Sequence, residues 1–157
     1  VRFAANSCEF KYDGGEFRCR LIEGRYPNYN SVIPTANTNS INVDRKSLMG
    51  ALKRVLPFAS ESSQSIRLRL GIGQVEASSE DIDFATSAKE TIVCDYNGTP
   101  MSIGFKGPSL VEILSSLTSD EVLMELADPS RPCLIFPSEQ PEGQNILMLI
   151  MPMLLND

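Results

Sequence analysis

The 157-residue chain contains no histidine at all. That absence removes the commonest general base and the commonest metal ligand together, and it sets aside serine-hydrolase, zinc and histidine-relay chemistry. Cysteine is sparse: Cys8, Cys19, Cys94 and Cys133 form no CxxC pair. Each lies in an apolar, strand-like run where a small hydrophobe would serve, so all four read as core and not as disulfide or metal ligands. No apolar run reaches the roughly 18 residues of a membrane span, the longest (146–151 with its flanks) being strand-sized, and a soluble protein with no membrane role is expected. Net charge is −6, which argues against a protein that simply coats nucleic acid but leaves room for local basic faces. At Val1 the chain begins in mid-pattern, without a basic or apolar leader, which reads as a cut end with no signal peptide.

What is present is ordinary globular composition, 42% hydrophobic and 22% charged, enough for one complete domain plus a remnant. Residues 21–34, LIEGRYPNYNSVIP, separate two modules. Before them Phe17, Cys19 and Leu21 alternate with Arg18, Arg20 and Ile22 as in a strand, and Asp13-Gly14-Gly15 marks a tight hairpin turn. From Gly24 that rhythm stops. Pro27 and Pro34 fix their own φ and push Tyr26 and Ile33 towards extended geometry, predicting a stiff, unpaired connector. Its apolar side chains, including Tyr26, Tyr29 and Val32, are expected to be covered by the apolar segment 146–155; the alternative is a linker packed on its own domain.

Downstream, the pattern predicts a strand over 40–43 and a helix N-capped by Asp44, with Leu48, Ala51, Leu52, Val55 and Leu56 at helical spacing and Pro57 as its stop. Strands follow over 65–70, 74–78 and 88–96. The order then repeats: a strand over 101–105, a helix opened by Gly107-Pro108 with an apolar stripe of Leu110, Val111, Ile113, Leu114 and Leu117, and strands over 121–127, 133–136 and 145–151. The repeat, at a spacing of roughly 55 to 60 residues, lies in element order more than in matching residues. A β-α-β-β-β unit occurring twice implies an α+β domain with two helices on one face of antiparallel sheet, and residues 1–22 read as the last strands of a further such unit.

With their actual residues, these segments closely resemble the bacterial sliding clamp, the beta subunit of DNA polymerase III. The carrying motifs are RLIEGRYPNYNSVIP at 20–34, DRKSLMGALKRV at 44–55, MSIGFKGPSLVEIL at 101–114 and IMPML at 150–154. The resemblance implies the DNA-clamp fold, with 1–37 as the end of the middle domain plus linker and 38–157 as the C-terminal domain. It implies a cytoplasmic, non-catalytic, cofactor-free and metal-free processivity factor: a head-to-tail homodimer closed as a ring around double-stranded DNA without regard to sequence. Its partners would be the polymerase III catalytic subunit, the clamp loader and other proteins carrying a clamp-binding motif.

By the same resemblance, partner peptides dock in an apolar groove whose matching positions are Pro27, Ser31, Val32, Leu149, Ile150, Met151, Pro152, Met153 and Leu154. Ser31 and Leu154 depart from the arginine frequent in relatives, and Asn156 and Asp157 run past the family's usual end. Lys46, Lys53, Arg54 and Lys106 are expected to face DNA, a solvated helix face being the plainer reading of each. The ring interface would use the edge strand near 89–96, with Pro57, Phe58, Lys89 and Ile92; Phe58 has core as its alternative. Two rival classes were weighed from the residues. An enzyme would need more than the acidic run Glu80, Asp81 and Asp83, which reads as a solvated turn without the spacing of a cation loop. A peptide-binding module without a DNA role would keep the groove and lack the basic helix face.

Overall fold

The computed structural model describes residues 1–155, so Asn156 and Asp157, the extension past the family's usual end, lie outside the described residues. The chain divides into two compact units, Val1–Asn30 and Ser31–Asp157, a break ahead of the boundary read from the sequence.

In the N-terminal unit, strands β1 (Arg2–Phe3), β2 (Ser7–Tyr12) and β3 (Gly15–Arg20) form an antiparallel sheet in that order. The hairpin joining β2 and β3 turns at Asp13-Gly14, with Gly14 at φ +93°, a conformation glycine adopts without steric cost. Cys8 faces Cys19 and Phe10 faces Phe17 across the hairpin, and of these Cys8 alone is buried. The connector holds a 3₁₀ turn at Tyr29–Ser31, and the Tyr26 and Tyr29 rings meet edge to face at 6.3 Å. Tyr26, Tyr29 and Val32 are exposed, where cover was expected.

In the larger unit the order is β4 (Asn39–Asp44), α1 (Arg45–Val55), a 3₁₀ turn (Leu56–Phe58), β5 (Ser65–Gly71), β6 (Gln74–Asp81), β7 (Thr86–Val93), β8 (Met101–Lys106), α2 (Gly107–Ser116), β9 (Glu121–Leu126), β10 (Cys133–Pro137) and β11 (Met148–Ile150). This is the β-α-β-β-β unit twice. Helix α1 starts where Asp44 accepts the Ser47 N–H at 2.7 Å, satisfying one of the orphan donors of the first turn. It ends where Pro57 cannot continue the backbone ladder. Strand β11 is shorter than the pattern predicts because the Gln140 amide takes both backbone groups of Ile146, at 2.7 and 2.9 Å, in place of a neighbouring strand.

Each repeat lends its first strand to the other. The antiparallel sheets run β7-β6-β5-β8 and β11-β10-β9-β4, so β8 completes the first repeat's sheet and β4 the second's. Leu48, Leu52 and Val55 of α1 and Leu110 and Leu114 of α2 join Ile66, Leu68, Ile103, Phe105, Val122 and Met124 from the sheets in one buried core. The repeat extends to single hydrogen bonds. The N–H of Arg45, first in α1, donates to Asp120 O at 2.8 Å, and that of Gly107, first in α2, donates to Gln64 O at 2.8 Å.

Candidate functional site

The C-terminal strap is built by a strand that ends early. After Ile150 the chain leaves the second sheet and reattaches to the first, where Met153 N donates to Gly104 O of β8 at 2.8 Å. The groove residues predicted in this unit therefore fall into distinct environments. Met151 and Leu154 are 56% and 88% exposed, Val32 is exposed, and Leu149, Pro152 and Met153 are half-buried. Ile150 corrects the reading: it is 7% exposed and belongs to the core, because its strand position opposite Cys133 turns its side chain inward. Ser31 sits at the unit's exposed start, and Pro27 is exposed in the N-terminal unit. Beside the strap, Met153, Leu154 and Leu155 rim an open concavity of about 1070 Å³ whose floor includes Arg67, Arg69 and Ser102 of the first sheet. The alternation of Arg67 and Arg69 with buried Ile66, Leu68 and Leu70 is the sequence signal for that polar floor.

Among the basic candidates, Lys46 and Lys53 lie on the exposed side of α1, opposite its apolar stripe. Lys46 Nζ is 3.9 Å from Asp120, and Lys53 has no ion-pair partner among the described residues. Arg54 is engaged, contrary to expectation: its Nε lies 2.8 Å from Glu90 Oε2 and a terminal nitrogen 2.5 Å from Oε1, a bidentate pair reaching β7. The hydrogen bonds from Arg54 hold the Glu90 carboxyl below its ordinary value. A guanidinium held this way by a carboxylate is not free to meet a phosphate. Lys106 is exposed at the N-cap of α2 and makes no side-chain cap there.

The edge candidates also separate. β7 is the outer strand of its sheet, and Lys89 Nζ lies 4.0 Å from Glu76 on β6. Pro57 and Phe58 are exposed, but Ile92, 7% exposed, is core. Strand parity explains the correction: Ile92 shares its inward face with Val75 opposite, and Val93, 84% exposed, points the other way. The apolar spacing Ile92, Cys94, Tyr96 carries this signal. At the β6–β7 tip, Asp81 Oδ1 accepts the N–H groups of Asp83 and Phe84 at 3.0 and 3.2 Å, which makes the acidic run a self-closed turn. Among the described residues no helix is long and apolar enough to cross a membrane.

Residues 30–154 match the family model described as DNA polymerase III beta subunit, C-terminal domain. The beta sliding clamp of Haemophilus influenzae is 30% identical over 99% of this chain and 41% of its own length. That of Treponema pallidum is 36% identical over 78% of this chain and 34% of its own. The chain thus spans less than half the length of these curated relatives. A crystal structure of the sliding clamp (DNA polymerase III subunit beta) from Bartonella birtlesii bound to griselimycin superposes with a TM-score of 0.86 at 27% identity, covering 97% of this chain and 40% of that one. The duplicated α+β domain and the strap crossing from one sheet to the other are thus set in a known frame: the chain belongs to the DNA polymerase III beta subunit family, through that family's C-terminal domain.

Proposed function

We propose that this chain serves as the C-terminal part of a sliding clamp, a non-catalytic, cytoplasmic processivity factor of DNA replication. In this reading two protomers close head to tail around duplex DNA, and polymerase III, the clamp loader and other partners are tethered through short peptides. The observation that carries the reading is the family match over 30–154, joined to a strap that leaves Met151 and Leu154 exposed on a fixed backbone. Met151 and Met153 offer an adaptable, polarizable wall, and Pro152 stiffens the segment between them. A peptide leucine and phenylalanine buried there contribute about 1.5 to 3 kcal/mol each, which points to micromolar affinity. Lys46, Lys53 and Lys106 supply weak, sequence-independent phosphate contacts, and a ring that is topologically closed needs no more.

The test is a fluorescence polarisation titration of a labelled peptide carrying a glutamine and a terminal leucine-phenylalanine pair against the intact clamp. Binding in the micromolar range is expected, with competition by griselimycin and weakening by Met151→Ala and Met153→Ala without loss of fold. Unaltered affinity in both variants would remove the strap from the docking site.

A further inference from the structure

We infer that Gly104 is a positioning residue for partner docking: by carrying no side chain it lets the strap 151–155 lie on β8 and so fixes which apolar side chains that strap presents. The inference rests on the docking role proposed above for the strap.

Gly104 is not glycine for backbone reasons. It lies inside a regular strand, paired with Arg67, and it is not among the glycines with positive φ, which are Gly14, Gly24, Gly73 and Gly143. Glycine within a strand weakens it, so another requirement must hold the position. That requirement is space. A Cβ at residue 104 would stand 2.7 Å from Leu155 Cδ2, 2.9 Å from the Met153 carbonyl oxygen and 3.2 Å from Leu155 Cγ. The leucine can swing aside, but the carbonyl is backbone and moves only if the strap moves.

The internal repeat supplies the control. Asn42 of β4 occupies the corresponding place in the first half and makes the corresponding bridge, exchanging hydrogen bonds with Asp95 at 3.0 and 2.8 Å. It does so while carrying a side chain, which reaches Glu121 at 2.7 Å. The seam between sheets therefore tolerates a side chain. What excludes one at 104 is Leu155, the residue of the strap that folds back over β8. With Leu155 and the Met153 bridge seated there, Met151 and Leu154 are left outward; displacing the seat changes the register of all four.

The experiment uses the intact clamp with the labelled peptide of the previous section, together with amide hydrogen exchange at Met153, whose N–H donates to Gly104. Gly104→Ala is expected to weaken peptide binding about tenfold, in keeping with the displacement that overpacking imposes, and to speed exchange at Met153. Adding Leu155→Ala removes the side-chain part of the clash and is expected to recover part of both. Parental affinity in Gly104→Ala alongside weakened binding by Met151→Ala overturns the inference and leaves the docking site standing. Parental affinity in Met151→Ala and Met153→Ala as well overturns the docking reading itself. If Gly104→Ala alone does not fold, the double variant with Leu155→Ala decides: slowed Met153 protection and loss of affinity relative to Leu155→Ala alone support the role, and equality with Leu155→Ala refutes it.

Discussion

Lys106 stands where a helix would be better served by an acid. It is the N-cap of α2, with φ −68° and ψ 109°, and it makes no side-chain cap. The corresponding residue of the first repeat, Asp44, has φ −58° and ψ 119° and caps α1 through the Ser47 N–H. The two backbones are close enough that an aspartate at 106 would reach the N–H three residues on, at Ser109, as Asp44 reaches Ser47. A gained cap stabilises by about 1 kcal/mol. Exchanging a cation for an anion at the positive end of the helix dipole adds about 0.5 kcal/mol. Together these raise the unfolding midpoint of a domain this size by roughly 3 to 6 °C. Lys106→Asp is therefore expected to stabilise the 157-residue chain by that amount in thermal denaturation, and Lys106→Ala, which brings no cap, to change it by much less. The same substitution removes a cation from the proposed DNA face, so in the intact clamp the slope of log affinity against log salt should fall by about 0.9. A midpoint for Lys106→Asp at or below the parent's would refute the reasoning, because it would mean that the first turn of α2 has no donor to offer. A rise in stability with an unchanged salt slope would retain the cap argument and remove Lys106 from the DNA face.

Asp44→Ala should cost about 1 kcal/mol of stability at neutral pH, measured by urea unfolding. Hydrogen bonds from Ser47 hold the Asp44 carboxyl below its ordinary value of 3.8, so this contribution is complete above that pH and is lost as pH falls through the lower folded value, where variant and parent should converge. Burial, with a smaller push from Glu125, raises the Cys133 thiol to about 12. Iodoacetamide at pH 8 should leave Cys133 unmodified in the folded chain and alkylate it after unfolding, as read by peptide mass spectrometry.

The elements were legible because local chemistry dictates them. Asp44 before a stripe at helical spacing, Pro57 at its end and Gly107-Pro108 at the next start give both helices, and alternation gives β5 and the β2–β3 hairpin. Partners were not legible, because periodicity identifies a strand and says nothing of its neighbour. The exchange of β4 and β8 between the repeats is a consequence of the chain burying two helices at once, and no residue of either strand announces it. Arg54 illustrates the same limit: its helix position marks it as exposed and basic, but the carboxylate that binds it is on β7, 36 residues away. Where tertiary facts do leave a trace, it is at residues that fit poorly by local rules. A lysine at an N-cap and a glycine inside a strand are each unfavourable for the element that holds them. The physical reason for Gly104 appears only once Leu155 is seen over it, and that for Lys106 is proposed to be a phosphate backbone outside the chain. Local misfits of this kind mark positions whose selection is made by something other than their own helix or strand.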